Sequence, residues 1–168
     1  MKELKSMDLK LLWELVKNSR RSDRTLAKVL KSSQPTVTRR RAKLEKEVIA
    51  GYTAIPKWEK IGFNIIAFTF VKTKIKYAEH EEIKAEIQKA KEWFMKQPNV
   101  IFVIKLPGME WDGVSISLHK NYLDFTKFIT RHDSELSSGI DESRSYVANM
   151  NPELILKMFH FKYLANAE

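Results

Sequence analysis

Apolar residues in the first fifty positions recur at helical spacing in three short bursts. Leu11, Leu12, Leu15 and Val16 make the first, with Asp8 as a candidate cap and Asn18-Ser19 as its break. Leu26, Ala27, Val29 and Leu30 make the second, behind Ser22. Val37 and Leu44 mark the inward stripe of the third, which Ser33 can cap and whose first turn tolerates Pro35. The run from Val48 to Ile55 is β-prone, is interrupted by Gly51 and is stopped by Pro56. It predicts a short ribbon.

The rhythm then changes. Ile65 to Ile75 is an apolar run passing into alternation, which predicts a strand. Ile83, Ile87, Ala90 and Phe94 place a helix over 79–96, ended by Gln97-Pro98-Asn99. Val100 to Leu106 and Gly113 to His119 read as strands around the loop 107–112. Tyr122, Phe125, Phe128 and Ile129 define another helix, and Ile140 to Met150 a last strand. A short apolar tail follows Pro152 and ends near Leu164. The order β-α-β-β-α-β is the ferredoxin-like arrangement, an antiparallel sheet with two helices on one face. The expected fold class is therefore α+β: a winged helix-turn-helix domain over residues 1–63, then a ferredoxin-like domain over 64–168.

Charge sharpens this division. The 168-residue chain carries a formal charge of +9. Residues 1–63 hold 16 Lys/Arg against 7 Asp/Glu, while residues 64–168 hold 14 of each. A positive field confined to one module points to a polyanion, of which nucleic acid is the commonest. The absence of cysteine excludes a disulfide framework, a thiolate zinc site and a cysteine nucleophile. His80, His119, His132 and His160 are too scattered for a zinc signature. His80 and His132 read as solvated helix-end residues. No apolar stretch nears the roughly 20 residues that span a bilayer, and the charged N-terminus is unlike a signal peptide, so a cytoplasmic protein is expected.

The third helix carries the chemistry. At about 100° per residue, with Val37 inward, Pro35, Thr38, Arg39, Ala42, Lys43 and Lys46 fall on the outer side. Arg40 sits on a flank and Arg41 close to the buried stripe, so the Arg triplet is not one basic patch. Arg39 has the planar fork that bonds guanine bidentately, while Arg40 and Lys43 suit phosphate. Ser33, Gln34, Thr36 and Thr38 place short polar groups at the helix start, where the helix N-terminus also attracts phosphate. Arg20, Arg21 and Arg24 are further candidates for phosphate. The competing reading is an ordinary solvated helix face.

Asn18-Ser19-Arg20-Arg21-Ser22, Leu26-Ala27, Ser33-Gln34-Pro35-Thr36-Val37, Arg40, Leu44-Glu45, Val48-Ile49 and Gly51-Tyr52 follow one another in this order. From about Asp8 to Phe63 the series resembles the DNA-binding half of the Lrp/AsnC family of transcriptional regulators. The rest is similar to that family's effector and assembly domain. Gly108-Met109-Glu110-Trp111-Asp112 stands at the family's Gly-x-Tyr-Asp-like loop, and Gly139-Ile140 matches its Gly-Val before the last strand. The resemblance implies a partner, double-stranded DNA, and a homodimer, or higher assembly, that sets recognition helices in successive major grooves. It also implies an amino acid or similar small effector; no cofactor is expected, and the scattered histidines give no metal site. Gly108, Trp111 and Asp112 are the effector-site candidates it suggests, against the readings of a hairpin turn, a core aromatic and a turn cap. The chain departs from the family at Lys31 and Glu47, where glycine is usual, at Ser32, usually Leu, and at Arg41, usually apolar. If the two glycine positions need positive φ, they carry strain here. Arg41 must snorkel outward or find an acidic partner.

Two alternatives remain at this level. An enzyme on the same scaffold, like the tetrapyrrole decarboxylases of haem biosynthesis, would need a basic, histidine-lined pocket, yet Arg131 and Arg144 are the arginines of the second half. An architectural protein would compact DNA without a preferred operator.

Overall fold

The computed structural model describes residues 4–74, 80–106 and 110–166. Their packing separates two units, Met1–Ile55 with Lys157–Glu168, and Pro56–Leu156.

The first unit is built from α1 (Ser6–Lys17), α2 (Asp23–Val29) and α3 (Gln34–Glu47). The apolar bursts meet in a core of Leu11, Leu15, Leu26, Ala27, Val37 and Leu44, flanked by Leu12, Leu30 and Ile49. Each fully buried leucine contributes roughly 1.5–3 kcal/mol of transfer free energy. The caps at Ser22 and Ser33 form as the spacing predicts, accepting from the backbone N–H of Thr25 at 3.2 Å and Thr36 at 3.4 Å. Asp8 does not cap. Helix α1 begins at Ser6, and Asp8 lies buried inside its first turn. Residues 49–57 form no ladder, so the predicted ribbon is absent from the described residues. A lone two-stranded ribbon is marginal without a third strand or a helix to pack on, and Tyr52 and Ile55 are exposed. The tail returns as a 3-10 turn, Phe161–Asn166, against α1.

The second unit contains β1 (Ile65–Thr73), α4 (His80–Met95), β2 (Val100–Lys105), β3 (Gly113–His119), α5 (Tyr122–Glu135) and β4 (Ile140–Asn149). The antiparallel sheet has the order β2-β3-β1-β4. The register puts Ala67, Thr69, Ser115, Ser117 and His119 on one face, and all five are buried. Small side chains let α5 lie close, so that His119 meets the rings of Phe125 and Phe128 at 5.4 and 5.1 Å. Trp93, Phe128 and Leu136 centre the core between helices and sheet. The opposite face carries Ile66, Phe68, Phe70, Ile116, Phe102 and Tyr146, with no helix of this unit over it among the described residues.

Candidate nucleic-acid interface

The turn between α2 and α3 is set by backbone geometry. The N–H of Ser32 reaches the carbonyl of Ala27 at 2.9 Å and that of Lys31 the carbonyl of Lys28 at 3.3 Å, a Schellman closure of α2. Lys31, at the left-handed position of that closure, has φ 50°. The strain expected there is present, whereas Glu47 lies within the last turn of α3 and carries none.

Burial of Val37 and Leu44 turns Gln34, Pro35, Thr38, Arg39 and Ala42 outward, where they line one shallow surface groove. Arg39 is exposed and has no side-chain partner among the described residues; the same holds for Arg24. The side chain of Arg20 is exposed. Lys43 faces solvent 3.8 Å from Glu47.

Other candidates are held by the protein itself. Arg40 donates to Asp8 at 2.6 Å, with Asp8 almost wholly buried. The structure thus gives Arg40, expected at phosphate, the task of joining α3 to α1. Arg21, also expected at phosphate, is bonded to Glu14. Arg41 finds the acidic partners its position demands, Asp23 at 3.1 Å and Glu45 at 3.0 Å, and also donates to the carbonyls of Ser19 and Arg21. Thr38 donates to Asp23 at 2.7 Å. The Thr38 hydroxyl, aided by Arg41, holds the Asp23 carboxyl below its usual range against the opposing effect of burial. Ser33 and Thr36 spend their hydroxyls on the cap, 2.8 Å apart. Tyr52 donates to Glu45 at 2.9 Å, pinning the segment after α3. The ion-pair and hydrogen-bond roles of Asp8, Glu14 and Asp23 escaped the sequence reading because their partners lie 32, 7 and 15–18 positions away.

Residues 5–45 match the model of the AsnC-type helix-turn-helix domain. An uncharacterized HTH-type transcriptional regulator of Pyrococcus abyssi is 31% identical over 127 residues, 75% of this chain and 80% of that protein. The HTH-type transcriptional regulator LrpC of Bacillus subtilis is 33% identical over 63% of this chain and 68% of its own. The chain belongs to the Lrp/AsnC family of transcriptional regulators. The Bacillus subtilis LrpC structure superimposes at TM-score 0.67 with 26% identity, covering 88% of this chain and 95% of that one. A Neisseria meningitidis transcriptional regulator, solved as its L-Met complex, has the same fold at TM-score 0.74 and 23% identity, over 87% and 90% of the two chains.

As an Lrp/AsnC regulator the protein is DNA-binding, and its α+β order of helix-turn-helix and four-stranded sheet is the family's. No helix among the described residues is long and apolar enough to cross a membrane, and no cluster there has the makings of a metal site. Of the loop candidates suggested by the family resemblance, Gly108 lies outside the described residues. Asp112 accepts from the backbone N–H and hydroxyl of Thr73 at 2.8 and 3.0 Å, tying the loop to the end of β1. Trp111 lies beside Phe70, with Lys72 Nζ 4.8 Å and Arg144 Cζ 5.3 Å from its ring. His132, expected in solvent, is instead fully buried against Trp93 and Phe94. Its i−4 neighbour Phe128 on α5 is core, and that period places both on one face.

Proposed function

We propose that this regulator binds operator DNA in the cytoplasm as a homodimer, with one α3 from each copy in successive major grooves. The observation that carries the reading is the outward face of α3, on which Arg39 has no side-chain partner among the described residues while Arg40 and Arg41 are bound within the protein. Arg39 reads a guanine edge. Gln34 and Thr38 border it, Ser33 and Thr36 present the helix start, and Arg20, Arg24 and Lys43 meet phosphates. Residues 1–63 perform this task. Residues 64–168 provide assembly and effector binding, apart from the tail packed on α1.

Supporting dimerisation is the uncovered sheet face, where Phe102 is 48%, Ile104 47% and Tyr146 57% exposed. A contiguous apolar surface of this kind marks a protein interface. An amino-acid effector acts at the Trp111 end of that unit. The likeness in fold to a regulator solved with L-Met supports the idea. Asp112 is engaged by Thr73, and Lys72 and Arg144 are paired with Glu142, so the Trp111 ring takes the larger part in effector contact.

Mobility shifts against the protein's own upstream DNA at two salt concentrations test the reading. Arg39→Ala is expected to cost roughly 1–3 kcal/mol and relax preference at one base pair. Arg24→Ala should weaken all sequences alike and flatten the salt dependence. Binding indifferent to sequence and to Arg39 would favour an architectural role instead.

A further inference from the structure

Gln34, Thr38 and Arg39 are the polar side chains that line the groove on the outward face of α3. A guanidinium only donates hydrogen bonds, and a carboxamide both donates and accepts. A threonine hydroxyl holds one donor and two lone pairs, and its hydrogen turns to suit the neighbour. On Thr38 that hydrogen is already committed, to Asp23 Oδ2 at 2.7 Å.

Asp23 is braced in that position. It stands in the first turn of α2, where the helix dipole favours a negative charge. Its other oxygen, Oδ1, accepts from Arg41 Nη1 at 3.1 Å, and its side chain is 21% exposed. Arg41 is fixed in turn by Glu45 at 3.0 Å and by the carbonyls of Ser19 and Arg21, and Glu45 accepts from Tyr52 at 2.9 Å. An ionised carboxylate accepts only, so the hydrogen between Thr38 and Asp23 belongs to Thr38. Thr38 is itself exposed, and its hydroxyl accepts from no group among the described residues. What it turns outward is therefore a lone pair and a methyl group, with no donor.

We propose that Thr38 is a specificity-determining residue that accepts a hydrogen bond from the exocyclic amino group of a base, N6 of adenine or N4 of cytosine, and that Asp23 is the positioning residue that imposes this polarity. Guanine and thymine offer carbonyl oxygens at the same edge, and two acceptors facing each other repel. On the strand that Thr38 faces, an amino base is thus favoured over a keto base. Arg39, which only donates, has the opposite preference. The inference rests on the seating of α3 in the major groove proposed above.

Selection of bound sites from random duplexes by the full chain tests this, with Arg39→Ala, Thr38→Val and Asp23→Ala run beside the unaltered protein. One position of the unaltered protein's site is expected to hold adenine or cytosine on one strand. Thr38→Val, which keeps the branched shape and removes the hydroxyl, should make that position degenerate. Asp23→Ala frees the Thr38 hydrogen to turn toward a carbonyl, so guanine and thymine should enter there, while the position lost with Arg39→Ala stays as it was. An operator with purine for that adenine, or 2-pyrimidinone for that cytosine, lacks the amino group. The unaltered protein should bind it about fivefold more weakly, and Thr38→Val should bind it as well as the parent operator. Any of three results overturns the proposal: Thr38→Val selects the same site at the same strength, Asp23→Ala keeps the amino preference, or the missing amino group costs both proteins alike. Thr38 is exposed, so Thr38→Val answers the question even where Asp23→Ala melts early. A pool with no enriched site, or one blind to Arg39, removes the seating of α3 and this proposal together. A site that needs Arg39 but ignores Thr38 removes the proposal alone.

Discussion

The two units complete their surfaces in opposite ways. In the first, helices α1 to α3 enclose their apolar side chains, and much of the interior charge is cancelled by Arg40–Asp8, Arg41–Asp23 and Arg21–Glu14. What remains outside is unpaired positive charge on α3 and near α2. In the second unit charge is balanced, but one face of the sheet is left apolar and open. The proposed partners follow from this contrast: a polyanion for the field of the first unit, and the apolar surface of a second copy for the open sheet face of the second.

The contrast breaks most visibly if the sheet face is given a charge. Ile116→Glu places a carboxylate in the middle of that face and should weaken the proposed dimer at least a hundredfold, about 3 kcal/mol. Sedimentation should then show monomer while the helical signal of the first unit persists. If the dimer survives, copies meet elsewhere. Next in size is Arg40→Ala, which removes the partner of buried Asp8 and should destabilise the helical unit by roughly 2 kcal/mol, since Arg40 is itself 27% exposed. Thermal melting distinguishes this from the expectation that Arg40 merely touches phosphate, under which stability would not change.

Acid should separate the units more gently. Burial holds the His119 imidazole below the usual histidine value, opposed by Asp124 nearby. The unfolded chain thus takes up a proton that the folded sheet resists. This contribution is complete above about pH 6.5 and falls as the pH drops below it. Asp23 is also held low, and its contribution is complete above about pH 4 and lost below that. Melts followed separately at Trp93 and in the α1–α3 helices should show the sheet weakening first, and His119→Gln should remove its early decline. The smallest effect belongs to Lys31→Gly, which relieves the positive φ and should stabilise the first unit by roughly 0.5–1 kcal/mol in a denaturant titration.

Much of this organisation was legible in the residues. Period-3.6 and period-2 patterns located α1 to α5 and β1 to β4 with only small shifts at their ends, because burial of one face imposes those periods on any sequence that folds so. The outward set around Arg39 followed from the same geometry. The ribbon after Val48 misled because β-propensity says only that a segment suits a sheet, not that a partner strand exists. His132 misled because a polar residue near a helix end looks solvated until its neighbours on the face are counted.

The linear order of side chains thus determined which stretches become helix or strand, which face of α3 looks outward, and where the net charge collects, since all three depend on local spacing. Only the tertiary structure decided which of several arginines remain available. Asp8, Asp23 and Glu14 capture Arg40, Arg41 and Arg21 across helix contacts, and no local period encodes a distance between residues that chain folding alone brings within hydrogen-bond reach.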